Sequence, residues 1–583
     1  MKRKIRLVAA LMAVVVTFGA FGVGCGNKGG GEDKDLTVLR VYNYDGGVGH
    51  AWLDSAIERF YNANEGKTYE DGKTGFKISP YNAKDGDPIS TMGNSPYSVY
   101  FLEGLNYHSI VKEKKMLDIS EIVKADNSGE GSIESKLDAN TKSALTGVDG
   151  KYYGLPHYQS LNGVVYNKTL FTQKGYYFVA DPALGKGGGT DIEYHGYGFV
   201  NAGDTTTERT VGPDGIKNTY DDGLPSSIEE FAKLVKHIVG SGDTPFTWFS
   251  EGSSYQTSFC NALFVSLAGY DAAMSTALLN SNGKVVNIVT GFNGNEPIIN
   301  PKEITSENFT DIYQSEAIYR VLELVKEIFG NVNNYTNSSV DQGATSNTTV
   351  QREFLESIYN PAKSSKTAMM LEGSYWMNEV KDSGEYDRAV DNYSQIATDL
   401  EVEFMPLPVQ AKGSVTENNG RKPTTVDALN SYAFINANVE RMHGKGVKQL
   451  ALDFLQFLYT DASLRDFTVK STVTKNVNYT LNSDDKALLP DFSKSVINIR
   501  ENGDVVTATS SNLLAISNPT VFTLHPGGKF WNSTVGVGYD DPYMAFKSGV
   551  TVSVKNYFNG MKKSDSWKTG LNSYKTWVES LNG

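Results

Sequence analysis

Asp149-Gly150-Lys151-Tyr152-Tyr153-Gly154-Leu155-Pro156, and after it Leu161-Asn162-Gly163-Val164-Val165-Tyr166-Asn167-Lys168-Thr169-Leu170-Phe171, is the stretch on which the fold turns. An Asp-Gly turn comes first, then a Gly-Leu-Pro segment, then a β-rich run at Gly163–Tyr166, then the polar Asn167-Lys168. Upstream, Leu36 to Tyr44 carries Leu36, Val38, Leu39, Val41 and Tyr42 and reads as a first strand, which Asp45-Gly46-Gly47 ends. A helix follows, with Trp52, Ile57, Phe60 and Tyr61 as its apolar members. Downstream, Ser227 and Glu230 have capping-box spacing ahead of Phe231, Leu234, Val235 and Ile238. Two more helical patterns begin at Ser315 and near Gly446, and β-rich runs at Thr367–Leu371 and Ser431–Ile435 lie between them. Strands alternating with helices predict an α/β architecture.

Further segments fall in a recognisable order. Leu224-Pro225-Ser226-Ser227-Ile228-Glu229-Glu230-Phe231 is followed by Thr244-Pro245-Phe246-Thr247-Trp248 and by Ala368-Met369-Met370-Leu371-Glu372-Gly373-Ser374-Tyr375-Trp376. Met405-Pro406-Leu407-Pro408 and Ser431–Ile435 complete the series. With the 149–171 stretch as a first hinge, this order resembles the family 1 extracellular solute-binding proteins, the maltose-binding-like receptors of ABC importers. The resemblance covers most of residues 37–475. It implies a two-lobed periplasmic-binding-protein-like α/β fold with a hinge and a central ligand cleft. Lobe 1 is then expected at 37–157 and again at 410–475. Lobe 2 is expected at 158–409, with an insert at 172–223, and a C-terminal helical segment at 476–583 packs on the lobes. The insert and the tail match the family pattern poorly.

The N-terminus sets the compartment. Met1-Lys2-Arg3-Lys4-Ile5-Arg6 is basic, Leu7 to Phe21 is apolar, and Gly22-Val23-Gly24 leads to Cys25. An apolar run this short marks an export signal (1–24) rather than a spanning helix. Cys25 stands where the lipid-accepting cysteine of a bacterial lipoprotein would stand, although Gly22 occupies a position where that pattern usually has Leu. An ordinary cleaved signal with Cys25 merely nearby is the other reading. On the lipoprotein reading, residues 25–36 are expected to be a flexible, lipid-anchored linker that holds the protein on the extracellular face of the cell membrane. Loss of residues 1–24 removes four basic residues and no acid, taking the formal charge from −13 to −17. That balance argues against nucleic acid as a partner. Cys260 is the only other cysteine, so no disulfide framework holds the exported body.

The candidate ligand-binding residues are Tyr44, Asp45, Glu103, His157, Tyr158, Trp248, Tyr375 and Trp376. Tyr44, Asp45 and Glu103 follow strand-like runs, where an open α/β sheet presents its crevice. His157 and Tyr158 follow the Gly-Leu-Pro crossing and are expected on the cleft floor. Trp248, Tyr375 and Trp376 are expected to stack on pyranose faces while carboxylates and amides take the hydroxyl rims; core packing is the competing role for these rings. In the insert, Asp214, Asn218, Asp221 and Asp222 place hard oxygen ligands on a Gly-punctuated loop. A calcium ion bracing the insert and a plain acidic turn both remain open there, since EF-hand spacing and its terminal Glu are missing. No cofactor is required.

No Gly-x-Ser-x-Gly elbow, His-Glu-x-x-His motif or phosphate loop is present, and the seven His are scattered singly. The expectation is therefore a monomeric, non-enzymatic receptor that takes an oligosaccharide ligand and delivers it to ABC transporter permease subunits. A cell-surface glycan hydrolase, with two carboxylates at a set separation, and a peptide-binding importer receptor are the alternatives.

Overall fold

The structure is a computed structural model that describes residues 32–84, 86–180, 198–250, 253–340, 346–411, 422–535, 538–561 and 567–582. The signal-like start, Cys25 and residues 181–197 of the insert lie outside the described residues. None of the described helices is long and apolar enough to cross a membrane.

Along the chain the strands are β1 (Leu36–Tyr44), β2 (Gly75–Ala83), β3 (Val99–Glu103), β4 (Leu155–Pro156), β5 (Asn162–Asn167), β6 (Thr244–Thr247), β7 (Val286–Asn293), β8 (Glu296–Lys302), β9 (Thr367–Gly373), β10 (Val402–Met405), β11 (Thr424–Asp427), β12 (Ser431–Ile435) and β13 (Asp504–Thr507). β11-β13 and β7-β8 form two-stranded sheets, and two larger sheets hold the other nine strands. The first, in lobe 1, has the order β2-β1-β3-β12-β4; the second, in lobe 2, has the order β10-β5-β9-β6. β1 runs parallel to β2 and β3, whereas β12 is antiparallel to β3 and β4. Pro156 lacks an N–H and sits in the edge strand β4, where the ladder tolerates it.

The lobe 2 sheet explains its own sequence. Successive residues of a strand point to opposite faces. In β5, Val164 and Tyr166 enter one core while Leu161, just before the strand, and Val165 enter another; in β9, Met369 and Leu371 part from Met370 in the same way. With both faces covered, these strands read as continuous apolar runs rather than alternating ones. Lobe 1 has a separate core built on Leu39, Val41, Trp52, Phe60, Phe101 and Phe454. The capping box forms as its spacing predicts: Ser227 Oγ accepts from the Glu230 N–H at 3.2 Å, and the Glu230 carboxylate accepts from the Ser227 N–H at 3.3 Å. A cap of this kind contributes about 1 kcal/mol.

The tail is more than a helical appendage. β13 pairs in parallel with β11, and Phe522, Phe530, Trp531, Tyr543 and Tyr557 enter the lobe 2 core. The start of the insert does likewise through Tyr176, Tyr177, Phe178 and Val179.

Three crossings join the lobes, at 157–161, at 428–430 and after the helix Asp461–Ser471. The first is tied to both others. His157 N–H donates to Ser431 O at 3.0 Å, and Tyr158 N–H to Ser431 Oγ at 3.1 Å. Ser160 N–H donates to Asp427 Oδ1 at 3.1 Å, and Gln159 N–H to Thr474 O at 2.8 Å. Buried backbone donors need such partners. Here they come from neighbouring crossings, which makes one hinge of three strands of chain.

Candidate functional site

The C-terminal ends of β1 and β3 carry Tyr44, Asp45 and Glu103 to the face of lobe 1 that meets lobe 2, the usual crevice of an open α/β sheet. The turn after β1 must pass close beneath the crossing. Gly47 has φ +61°, and a Cβ there would lie 2.8 Å from the Tyr158 hydroxyl. Asp45 Oδ1 lies 2.7 Å from His50 Nδ1, a contact that raises the imidazole's proton affinity. The Tyr158 and Tyr44 hydroxyls both hydrogen-bond the Glu103 carboxylate. Burial lifts the Glu103 pKa, and the two hydroxyls oppose that rise.

Lobe 2 supplies the opposite wall. β9 ends in Glu372-Gly373, and Ser374-Tyr375 leads into the helix Trp376–Asp382. Tyr375 is half-buried and packs against the lobe 1 core although lobe 2 carries it. Its ring meets that of Tyr158 edge-on, with centroids 5.9 Å apart. Behind it lies a polar network. Gln351 Nε2 donates to Glu372 Oε1 at 2.9 Å and to Glu379 Oε2 at 3.0 Å. Asn347 Nδ2 donates to Glu379 Oε2 at 3.1 Å, the Gly373 N–H to Glu372 Oε2 at 2.8 Å, and the Tyr255 side chain also bonds Glu372. Burial drives the proton affinities of Glu372 and Glu379 upward, and Glu379 is pushed further by Glu372 and Glu103.

The structure therefore brings together Tyr44, Asp45, Glu103, Tyr158 and Tyr375. It places three other candidates elsewhere. Trp248 is fully buried in the lobe 2 core, its ring covered by Tyr335, Phe329 and Tyr543. Trp376 is fully buried between Phe354 and Phe492. Neither indole face is open to a ligand, so the expected stacking role is corrected to core packing. His157 is also turned away from the cleft, between Trp52, Phe101 and Phe467, and neither ring nitrogen has a partner among the described residues. Burial, aided by nearby Lys475, lowers its proton affinity well below the ordinary imidazole value. Lys475 is itself buried and donates to His157 O at 2.7 Å, so this corner braces the hinge.

The insert's acidic loop binds itself. Asp221 accepts from the Asp214 N–H at 2.8 Å and from the Thr219 hydroxyl at 2.7 Å; Asp222 accepts from the Asn218 N–H at 2.8 Å. Asp214 accepts from the Ile216 N–H at 2.7 Å. Among the described residues no group of three His, Cys, Asp or Glu stands where it could hold a metal ion. The three carboxylates thus cap their own turn, which agrees with the plain acidic turn rather than the calcium loop of the two readings left open.

Glu372, Glu379, Gln351, Asn347 and Tyr255 were not among the sequence candidates. Glu372 carried a signal: it is the one carboxylate in an otherwise apolar strand. Glu379 follows Tyr375 by four residues, one helical turn, and so shares its face.

No known family model matches the sequence, and no curated protein does. Solved structures similar to the chain include a family 1 extracellular solute-binding protein from Bifidobacterium longum subsp. infantis, at 15% identity and TM-score 0.45, covering 92% of this chain and 99% of that one. A chitin oligosaccharide binding protein aligns at 13% identity and TM-score 0.49, over 92% of this chain and 100% of its own. A cyclic α-maltosyl-1,6-maltose binding protein from Arthrobacter globiformis aligns at 11% identity and TM-score 0.49, over 94% and 100%.

Proposed function

We propose that this chain is a receptor whose two lobes close on an oligosaccharide and hand it, unaltered, to the permease of an ABC importer. The observation that carries the capture step is the Tyr158–Tyr375 contact, in which a ring from lobe 2 meets a ring on the first crossing directly beside Glu103. Rotation about the three crossings would part these rings and free flat apolar faces for a pyranose, with Glu103 and the Gln351 network as hydroxyl partners. A ligand biases such an equilibrium only through contacts made in the closed state, and both walls here provide them.

The delivery step, the monomeric state and the lipid on Cys25 rest on the sequence: the signal-like start, the polar linker and the family resemblance. A thermal-shift panel of oligosaccharides beside a panel of peptides tests the capture step. A sugar that binds the folded state raises Tm, by RT ln(1 + [L]/Kd) in free energy. A response to peptides alone would favour the peptide-receptor reading instead. For the anchor, Cys25→Ser is expected to move the protein from the membrane fraction to the medium.

A further inference from the structure

The cleft gathers three carboxylates from both lobes: Glu103 from lobe 1, Glu372 and Glu379 from lobe 2. Glu379 is close enough to sense the charges of the other two. None of the three is ion-paired to a lysine, arginine or histidine among the described residues. Their partners are hydroxyls and amides: Tyr44 and Tyr158 on Glu103, Gln351, Tyr255 and the Gly373 N–H on Glu372, and Gln351 and Asn347 on Glu379. A second observation points the same way. Gln351 is fully buried within this cluster, its Nε2 is spent on Glu372 and Glu379, and its Oε1 has no hydrogen-bond partner. With its carboxylates ionised, the site is thus rich in acceptors and poor in donors, and burial drives them to take up protons unless a cation is present.

That imbalance defines a complement. A neutral hydroxyl brings lone pairs along with its one hydrogen, whereas an ammonium brings three donors, no acceptor and the missing positive charge. Buried carboxylates are strongly disfavoured unless such a charge compensates them, and the Tyr158 and Tyr375 rings would add cation–π attraction. Resting on the reading of this cleft as a sugar site, we infer that its ligand is an amine-bearing glycan whose ammonium sits among Glu103, Glu372 and Glu379.

Calorimetry on the purified protein with matched pairs tests this: glucosamine, galactosamine and a glucosamine tetramer, each against its N-acetylated form, with maltotetraose as a neutral reference. The amine form of at least one pair is expected to bind tenfold or more tightly than its N-acetylated partner. Glu372→Gln and Glu379→Gln should each reduce that ratio at least fivefold, and because each puts a neutral amide where burial disfavours a charged carboxylate, both variants should melt no lower than the parent. If neutral sugars bind as well as or better than the amines, or if the variants leave the ratio unchanged, the inference fails while capture of sugars stands. If no sugar in the set binds, both fail together.

Discussion

Gly49 of lobe 1 and Asp382 of lobe 2 meet across the cleft so closely that a Cβ on the glycine would stand 2.6 Å from Asp382 Oδ2. Gly49 also has φ +64°, a conformation that strains any L side chain by roughly 1–2 kcal/mol. Gly49→Ala is therefore expected to push the exposed Asp382 side chain aside and to lower stability by roughly 1–2 kcal/mol, mostly through the backbone strain. Adding Asp382→Ala should recover part of that loss, since it removes the obstruction and leaves the backbone strain. Calorimetry on the single and double variants checks this.

Aromatic residues that share a motif should part in their effects. Tyr375→Ala removes a ring pair of about 0.5–1.5 kcal/mol at the lobe boundary and is expected to weaken ligand binding with little change in Tm. Trp248→Ala and Trp376→Ala empty fully buried core sites and should cost about 3–5 kcal/mol of stability each. The fraction that stays folded should bind ligand as the parent does. Chemical denaturation beside binding isotherms separates the two behaviours.

Stability should fall as pH rises. Asp427 is buried at the second crossing, and although the Ser160 and Leu429 N–H groups donate to it, burial pushes its carboxyl up to about 7. Burial moves Glu372, Glu379 and Asp221 in the same direction. The folded state then holds protons that the unfolded chain has released above about pH 4, so the contribution of these carboxyls to stability is fully present below that point and is lost as pH climbs through 7, outweighing the opposite trend of buried His157 and Lys475. The unliganded protein should melt lower at pH 8 than at pH 5.5, and Asp427→Asn should narrow the gap. Scanning calorimetry at the two pH values reads both effects.

Metal removal should do nothing to the insert. The Asp214, Asp221 and Asp222 carboxylates are already occupied by N–H and hydroxyl donors of their own loop. Neither chelator nor added calcium is expected to shift Tm, and a calcium-dependent rise of several degrees would show that the loop rearranges around an ion.

Periodicity and turn chemistry made much of this fold legible. β1 spans the residues its apolar run predicts, the Ser227–Glu230 box closes, and the Gly-Leu-Pro stretch leads across the hinge. The side chains of the site were harder to read, for geometric reasons. Tyr375 and Trp376 are neighbours at a helix start, where successive residues point roughly 100° apart, so one reaches the cleft and the other a core. His157 and Tyr158 adjoin at a bend and their rings touch edge to face, 5.4 Å between centroids, yet the imidazole packs on into Trp52, Phe101 and Phe467 while the phenol reaches Glu103 and Tyr375. Trp248 is covered partly by Tyr543, nearly three hundred residues further on, and no local pattern announces such a contact.

Titration calorimetry with the oligosaccharide that most raises Tm, followed by chromatography of the recovered sugar, tests the central claim most directly. One ligand bound per chain and recovered at its original length is the predicted result. Shortened sugar in the recovered pool, or no saturable binding of any oligosaccharide, would contradict a receptor that clamps its guest between Tyr158 and Tyr375 without cutting it.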